Sequence, residues 1–169
     1  MRRTATHVTS HRMSHGLLCL QNFLMIDRMK RAVLDTNILT AGLRSRRGAS
    51  FAVLSLLAEG QFRALVTTAL FLEYEAVLKR PEQREVHGLG EPDVDRLLAE
   101  LAAVLEPVDV RFTWRPQLSD PADEMVLEAA VNGRADVLVT HNVRDFAAAA
   151  PRFGIPVLRP AEFLRGVAT

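Results

Sequence analysis

A chain of 169 residues, 49% hydrophobic and 24% charged, has the make-up of one globular domain that can bury a core without disulfides or a structural metal. Its single cysteine, Cys19, excludes a disulfide framework and a multi-cysteine zinc site, and a reducing, cytoplasmic setting is expected. The net charge of +1 is uneven: five basic side chains against Asp27 in residues 1–30 leave 16 basic and 19 acidic ones on residues 31–169, a net −3 without the basic footprint of a dedicated DNA-binding module.

Residues 1–29 are polar, rich in His and Arg, and lack sustained periodicity. They read as a disordered N-terminal extension or an over-extended reading frame, with Met25 or Met29 as the natural start. His7, His11 and His15 would align on a helix, but the tail has no apolar face to form one. Gly16 to Ile26 is apolar and follows basic residues. Gln21 and Asn22 interrupt it, however, and no small-residue cleavage pattern follows, so it does not read as a signal peptide. No run approaches the ~18 apolar residues of a membrane span. The folded domain is read as residues 30–169.

From residue 31 onward, strands and helices alternate. Ala32 to Leu34 reads as a buried strand. Ile38 to Leu43 and Ala49 to Glu59 read as helices, the second closed by Gly60. Phe62 to Thr67 is a second strand, and Thr67 or Thr68 caps a helix that runs to about Arg80 and stops at Pro81. Asp93 to Val104 is helical, Leu105 to Val108 a weak strand, and residues 109–118 a loop. Pro121 to Asn132 is a helix with Asp120 as cap, ended by Gly133. Asp136 to Thr140 is a strong strand, Pro156 to Leu158 a short one, and Pro160 to Arg165 a last helical turn. This order predicts an α/β fold with a mostly parallel sheet covered on both faces. Ligands of such sheets sit outside the carboxyl ends of the strands.

Asp35 falls at such an end. Capping the next helix is the ordinary explanation for one Asp there, although Asn37 serves that role equally well. Asp123 is more informative. Projected at about 100° per residue, it lies within the apolar stripe of Val126, Leu127 and Ala130, while Glu124 and Glu128 fall towards solvent. A carboxylate on a core-facing stripe is costly unless paired or metal-bound. Glu73 and Glu75 sit on opposite edges of the face made by Leu70, Tyr74, Val77 and Leu78, and periodicity does not say which turns inward. Several carboxylates at strand ends make a hard-oxygen site suited to Mg²⁺ or Mn²⁺. A metal so held activates water and neutralises charge on a phosphoryl group. The acidic domain repels a phosphate backbone, so substrate would depend on that cation and on a local basic patch such as Arg44, Arg46 and Arg47.

Four segments then resemble one family. Val33-Leu34-Asp35-Thr36-Asn37-Ile38-Leu39 is similar to the opening strand and first acidic motif of the PIN-domain ribonucleases, especially the VapC-like toxins of prokaryotic toxin–antitoxin pairs. Ala69 to Pro81 resembles the helix that bears the second acid, which falls on Glu73. Asp120 to Ala130 resembles the third acidic segment, and Ala135 to Phe146 the closing strand and turn. The likeness spans about residues 31–165 with every motif in order.

The resemblance implies a three-layer α/β/α sandwich and an endoribonuclease that hydrolyses RNA by metal-activated water. It also implies a cognate antitoxin protein and a homodimer. By carry-over, Asp35, Glu73 and Asp123 are catalytic and hold Mg²⁺ or Mn²⁺, with Asp120 and Asp145 as further candidate ligands. Asn37, Thr140, Asn142, Arg44 and Arg46 would serve substrate. One departure stands out: Asn142 occupies a position that is often a fourth Asp, which favours one metal over two. The alternatives are a catalytically weak or inactive PIN-fold module that binds RNA or protein, and a dehalogenase-like phosphatase. The phosphatase wants a second Asp where this chain has Asn37.

Overall fold

The structure, a computed structural model, describes residues 29–167; the expected N-terminal extension and its histidines fall on residues 1–28, outside them. Strand β1 (Arg31–Leu34) leads into α1 (Thr36–Arg44) and α2 (Ala49–Ala58). Strand β2 (Arg63–Val66) leads into α3 (Thr68–Leu78), α4 (Pro81–His87) and α5 (Glu91–Val104), which feeds β3 (Leu105–Pro107). After a loop come α6 (Pro121–Asn132), β4 (Val137–Val139), the short α7 (Val143–Phe146), β5 (Val157–Leu158) and α8 (Pro160–Val167).

The five strands form one parallel sheet in the order β3-β2-β1-β4-β5, and helices on its faces complete the expected three-layer α/β/α fold. Strands this short survive because both faces are covered. Ala32, Val33, Ala64, Leu65 and Leu138 are fully buried, which is why the three central strands β1, β2 and β4 read as apolar runs, while the edge strands β3 and β5 are only partly covered. From β1 the chain builds outward through β2 and β3, then returns to place β4 on the other side of β1. The strand order therefore reverses between β1 and β4, and the carboxyl ends of these two strands are where such sheets take their ligands.

Local chemistry accounts for the boundaries. Thr67 Oγ1 accepts from Leu70 N at 3.2 Å and starts α3. Asp120 accepts from Ala122 N at 2.9 Å, with Pro121 in the first helical turn of α6. Gly60, at φ +69°, ends α2 in a pair of bonds, Gly60 N to Leu57 O and Gln61 N to Leu56 O, that only a left-handed residue allows. Gly133 closes α6 for another reason. Its φ is ordinary, but a Cβ there would stand 2.8 Å from a Leu65 methyl and 2.7 Å from the Ala129 carbonyl.

Three readings are corrected. Pro81 ends α3 but also opens α4, since a proline whose N–H needs no partner suits the first turn of a helix. The expected closing turn at the end of Ala135 to Phe146 is the short helix α7, which holds Asp145 and the fully buried Phe146. Glu124 and Glu128 do not face solvent: both are buried. The 109–118 loop folds back over that side of α6 and uses them. Glu124 Oε1 accepts from Gln117 N and Leu118 N, and Glu128 takes a two-pronged bond from Arg115 at 2.9 and 2.7 Å. A helix projection cannot foresee a loop that brings its own donors.

Candidate active site

The carboxyl ends of β1 and β4 meet around Asp35. It follows β1 directly and is itself the N-cap of α1, while Asn37 sits inside the helix. Asp35 Oδ1 accepts from Asn37 N at 3.3 Å. Its Oδ2 accepts from Thr140 Oγ1 and from Asn37 Nδ2, each at 2.6 Å. Capping and a functional role are thus not exclusive here, because the second carboxylate oxygen is held by groups that capping does not require.

Thr140, just past β4, is fully buried. Besides donating to Asp35 it accepts from Asn37 Nδ2 at 3.1 Å and from Asn142 N at 2.9 Å. Asn37 Oδ1 in turn accepts from His141 N at 3.2 Å. Two strand ends and the first turn of α1 are locked into one network, which leaves Asp35 a single orientation. Beneath it, the buried Tyr74 hydroxyl donates to the Leu34 carbonyl, fixing the peptide that precedes Asp35.

The electrostatics are those of crowded acids. Burial pushes the Asp35 carboxyl above the ordinary carboxylate range, against the bonds from Thr140, Asn37 and Thr36 and the ring of His141, which pull it down. Asp123, half-buried in the first turn of α6, is pushed up to about 6 by desolvation and then by the charges of Asp35, Asp120 and Asp145. The charges of all three neighbours are felt at Asp123, although Asp120 and Asp145 are themselves exposed, and Asp123 holds its proton at a pH where an exposed Asp has lost it. Such a concentration of negative charge is what a hard divalent cation relieves. Even so, among the described residues no three Asp, Glu, His or Cys side chains already converge on one metal position. The donor set fits Mg²⁺ or Mn²⁺ in kind and in charge, and the ligands would have to close in on the ion.

The other expected residues fall in different places. Glu73 has Arg80 Nη2 as its neighbour, at 3.8 Å. Glu75 is committed to Lys79 at 2.6 Å, and Lys79 also reaches Asp95. Of the two, Glu73 is the less exposed. Asn142 is at the start of α7 and contributes its backbone N–H to Thr140. Arg44, Arg46 and Arg47 are exposed on the turn between α1 and α2.

Sequence reading passed over two residues. Ser50, buried at the start of α2, meets His141 Nε2 at 2.8 Å and so ties the arginine turn to the rim of the acid site. His141 was visible between Thr140 and Asn142, but nothing in the sequence pairs it with a serine 91 positions earlier.

Residues 31–144 match the PIN domain family. No curated protein matches the sequence. Among solved structures, the chain is similar to one in VapBC2 from Rickettsia felis bound to a DNA fragment from their promoter: the TM-score is 0.53 and the identity 15%, over 76% of this chain and 98% of that one. It is similar in the same degree to a chain of DNA-bound VapBC from Salmonella typhimurium, with a TM-score of 0.53 and 17% identity over 78% of this chain and 99% of that one. At these identities the likeness is one of fold.

Proposed function

The chain belongs to the PIN-domain family, and from that premise we propose that it is a Mg²⁺- or Mn²⁺-dependent endoribonuclease, the toxin of a toxin–antitoxin pair. The observation that carries this reading is the crowding of Asp35, Asp120, Asp123 and Asp145 near the point where the strand order reverses, with Asp123 raised to about 6 by desolvation first and then by its neighbours' charge. Paired carboxylates held apart in protonation by their surroundings are the usual equipment of hydrolytic chemistry.

Asp35 and Asp123 would hold the cation, with Asp120 and Asp145 near enough to share its charge. When bound, the ion would activate water and neutralise the phosphoryl group. Thr140 and Asn37 keep Asp35 in one rotamer. Glu73 would orient the attacking water from the α3 side, which requires it to leave Arg80. Arg44 and Arg46 would steady the RNA backbone at the rim, and the Asn142 amide would offer an uncharged oxygen there. The VapBC assemblies of similar fold lead us to propose a cognate antitoxin partner, and the resemblance to the PIN-domain toxins is the ground for proposing a homodimer. Among the described residues no helix is long and apolar enough to cross a membrane.

The decisive experiment is cleavage of a mixed RNA substrate with Mg²⁺ or Mn²⁺, repeated with Asp35→Asn. Loss of at least a hundredfold in rate is expected, and unchanged cleavage would remove Asp35 from the mechanism. A second reading, a PIN fold that holds RNA or protein without cutting, is favoured by the lack of three converged ligands among the described residues. Calorimetric titration with Mn²⁺ separates the two: heat of binding that disappears in Asp123→Asn supports the nuclease, and no binding at millimolar Mn²⁺ supports the inert module.

A further inference from the structure

We propose that the exposed rings of Phe112 and Trp114, together with the arginine-lined cavity beside them, form a binding platform for single-stranded RNA, with bases stacked on the rings and phosphates on the arginines. The proposal rests on the ribonuclease reading for the kind of strand. It adds where that strand lies outside the acid site.

Phe112 is 64% and Trp114 49% exposed, large apolar faces left in water on a loop. Their ring centroids are 6.3 Å apart, and Phe153 continues the row at 6.0 Å from Trp114. The loop that carries them is firmly anchored. Asn132 Oδ1 accepts from Arg111 N and Phe112 N, and its Nδ2 donates to Phe112 O, at 2.9 to 3.0 Å. Arg115 forks onto buried Glu128, and Glu124 holds the next two backbone amides. The two glutamates misassigned to solvent are thus spent on displaying these rings. A display fixed in advance loses little entropy when a ligand arrives.

The surroundings select the ligand. A cavity of about 410 Å³ opens beside Phe112, lined by Arg111 and Arg134, by Arg31, which is paired with Glu106, and by one acid, Asp109. Among the described residues the guanidinium groups of Arg111 and Arg134 have no partner, and Arg152 stands at the other end of the row on Gln117. In a domain of net −3, this pairing of aromatic faces with arginines suits a polymer of flat bases and phosphates. A duplex hides its bases and does not fit. Chain connectivity supplies the direction: the loop ends at Asp120, which caps α6 and whose charge reaches Asp123. A strand lying along the loop therefore leads to the acid site.

Trp114 is the only tryptophan, so its fluorescence reports on the platform alone. Ten-nucleotide oligouridylate and oligoadenylate, and a blunt RNA duplex, are titrated into the full chain in EDTA, where cleavage plays no part. Saturable quenching by the single strands is expected, at least tenfold weaker with duplex. Phe112→Ala should weaken single-strand binding about tenfold, in line with the loss of one stacked base. Arg111→Ala combined with Arg134→Ala should lower the slope of log affinity against log salt by about 1.4. Phe112 is exposed enough for its variant to keep the parent melting temperature, which serves as the folding control. No quenching at millimolar oligonucleotide, equal quenching by duplex, or unchanged affinity in Phe112→Ala would overturn the proposal. So would a Trp114 emission shift that follows protein concentration alone, which would mean that a second copy covers the patch. Quenching without cleavage on addition of Mg²⁺ defeats the nuclease reading and leaves the platform standing. Cleavage with an unchanged KM in Phe112→Ala does the reverse.

Discussion

Thr140 donates its hydroxyl to Asp35 Oδ2 at 2.6 Å and so joins the ends of β1 and β4, neighbours in the sheet but 105 residues apart in the chain. Thr140 Oγ1 itself accepts from the Asn142 backbone N–H and from Asn37 Nδ2. Thr140→Val keeps the shape and removes all three bonds, leaving a buried carboxylate and a backbone amide short of partners. A destabilisation of about 1–3 kcal/mol follows from the cost of unmet buried polar groups. Activity should fall further than stability predicts, because Asp35 loses its fixed rotamer. Thr140→Ser should restore most of both. Urea denaturation and RNA cleavage rates on the three proteins check this, and a Val variant as active as the parent would show that the network is not needed.

The 109–118 loop offers a second test, independent of catalysis. Arg115 binds Glu128 through two nitrogens, and the Glu128 side chain is only 8% exposed while that of Arg115 is 43% exposed. Removing one partner of a fully buried pair costs about 3–5 kcal/mol. Solvent at the arginine reduces this, so Arg115→Ala should cost about 2 kcal/mol. Glu128→Gln leaves unpaired only the Arg115 charge, which solvent reaches, and should cost less. Denaturant midpoints decide the order, and a larger loss in Glu128→Gln would contradict it.

The architecture was largely legible in the sequence because both faces of the central strands β1, β2 and β4 are buried, which turns them into short apolar runs between helices. Asp123 was legible as well, since a charge within an apolar stripe needs a reason. What escaped depends on contacts that periodicity does not encode. Glu124 and Glu128 are buried by a loop with no regular pattern, and the Ser50–His141 bond joins positions far apart in the chain. Glu73 shows the same limit from the other side. Its motif marks it as an acid of the site, yet its neighbour in the fold is Arg80.

Asn142 bears on the number of metals. It stands at the start of α7, within the turn that carries Asp145, and its amide is neutral. Asn142→Asp adds a hard charged oxygen next to acids that already crowd one another. Tighter Mn²⁺ binding is expected, with half-maximal cleavage at a several-fold lower Mn²⁺ concentration. Calorimetry reads the stoichiometry directly. An unchanged affinity would mean that the side chain at this position faces away from the ion.

Asp123 gives the pH dependence. In the fold its carboxyl is pushed up to about 6, above the unfolded value of 3.8. Between those values the native state holds the proton that the unfolded chain has released, so stability falls as pH rises through that window and stays reduced above it. The group is only partly buried, so solvent screens the effect and only its direction is predicted. Asp123→Asn, uncharged at every pH, should therefore melt higher than the parent at pH 7.5 without divalent cation. That advantage should shrink towards pH 4. Millimolar Mg²⁺ should raise the melting temperature of the parent, because binding to the folded state alone stabilises it, and should do little for the variant. The variant should also lose cleavage, a site made more stable by removing the charge it works with. Thermal melts at both pH values, with and without Mg²⁺, test every step. A variant less stable than the parent at pH 7.5 in EDTA would mean that Asp123 is held by partners rather than strained by neighbouring acids.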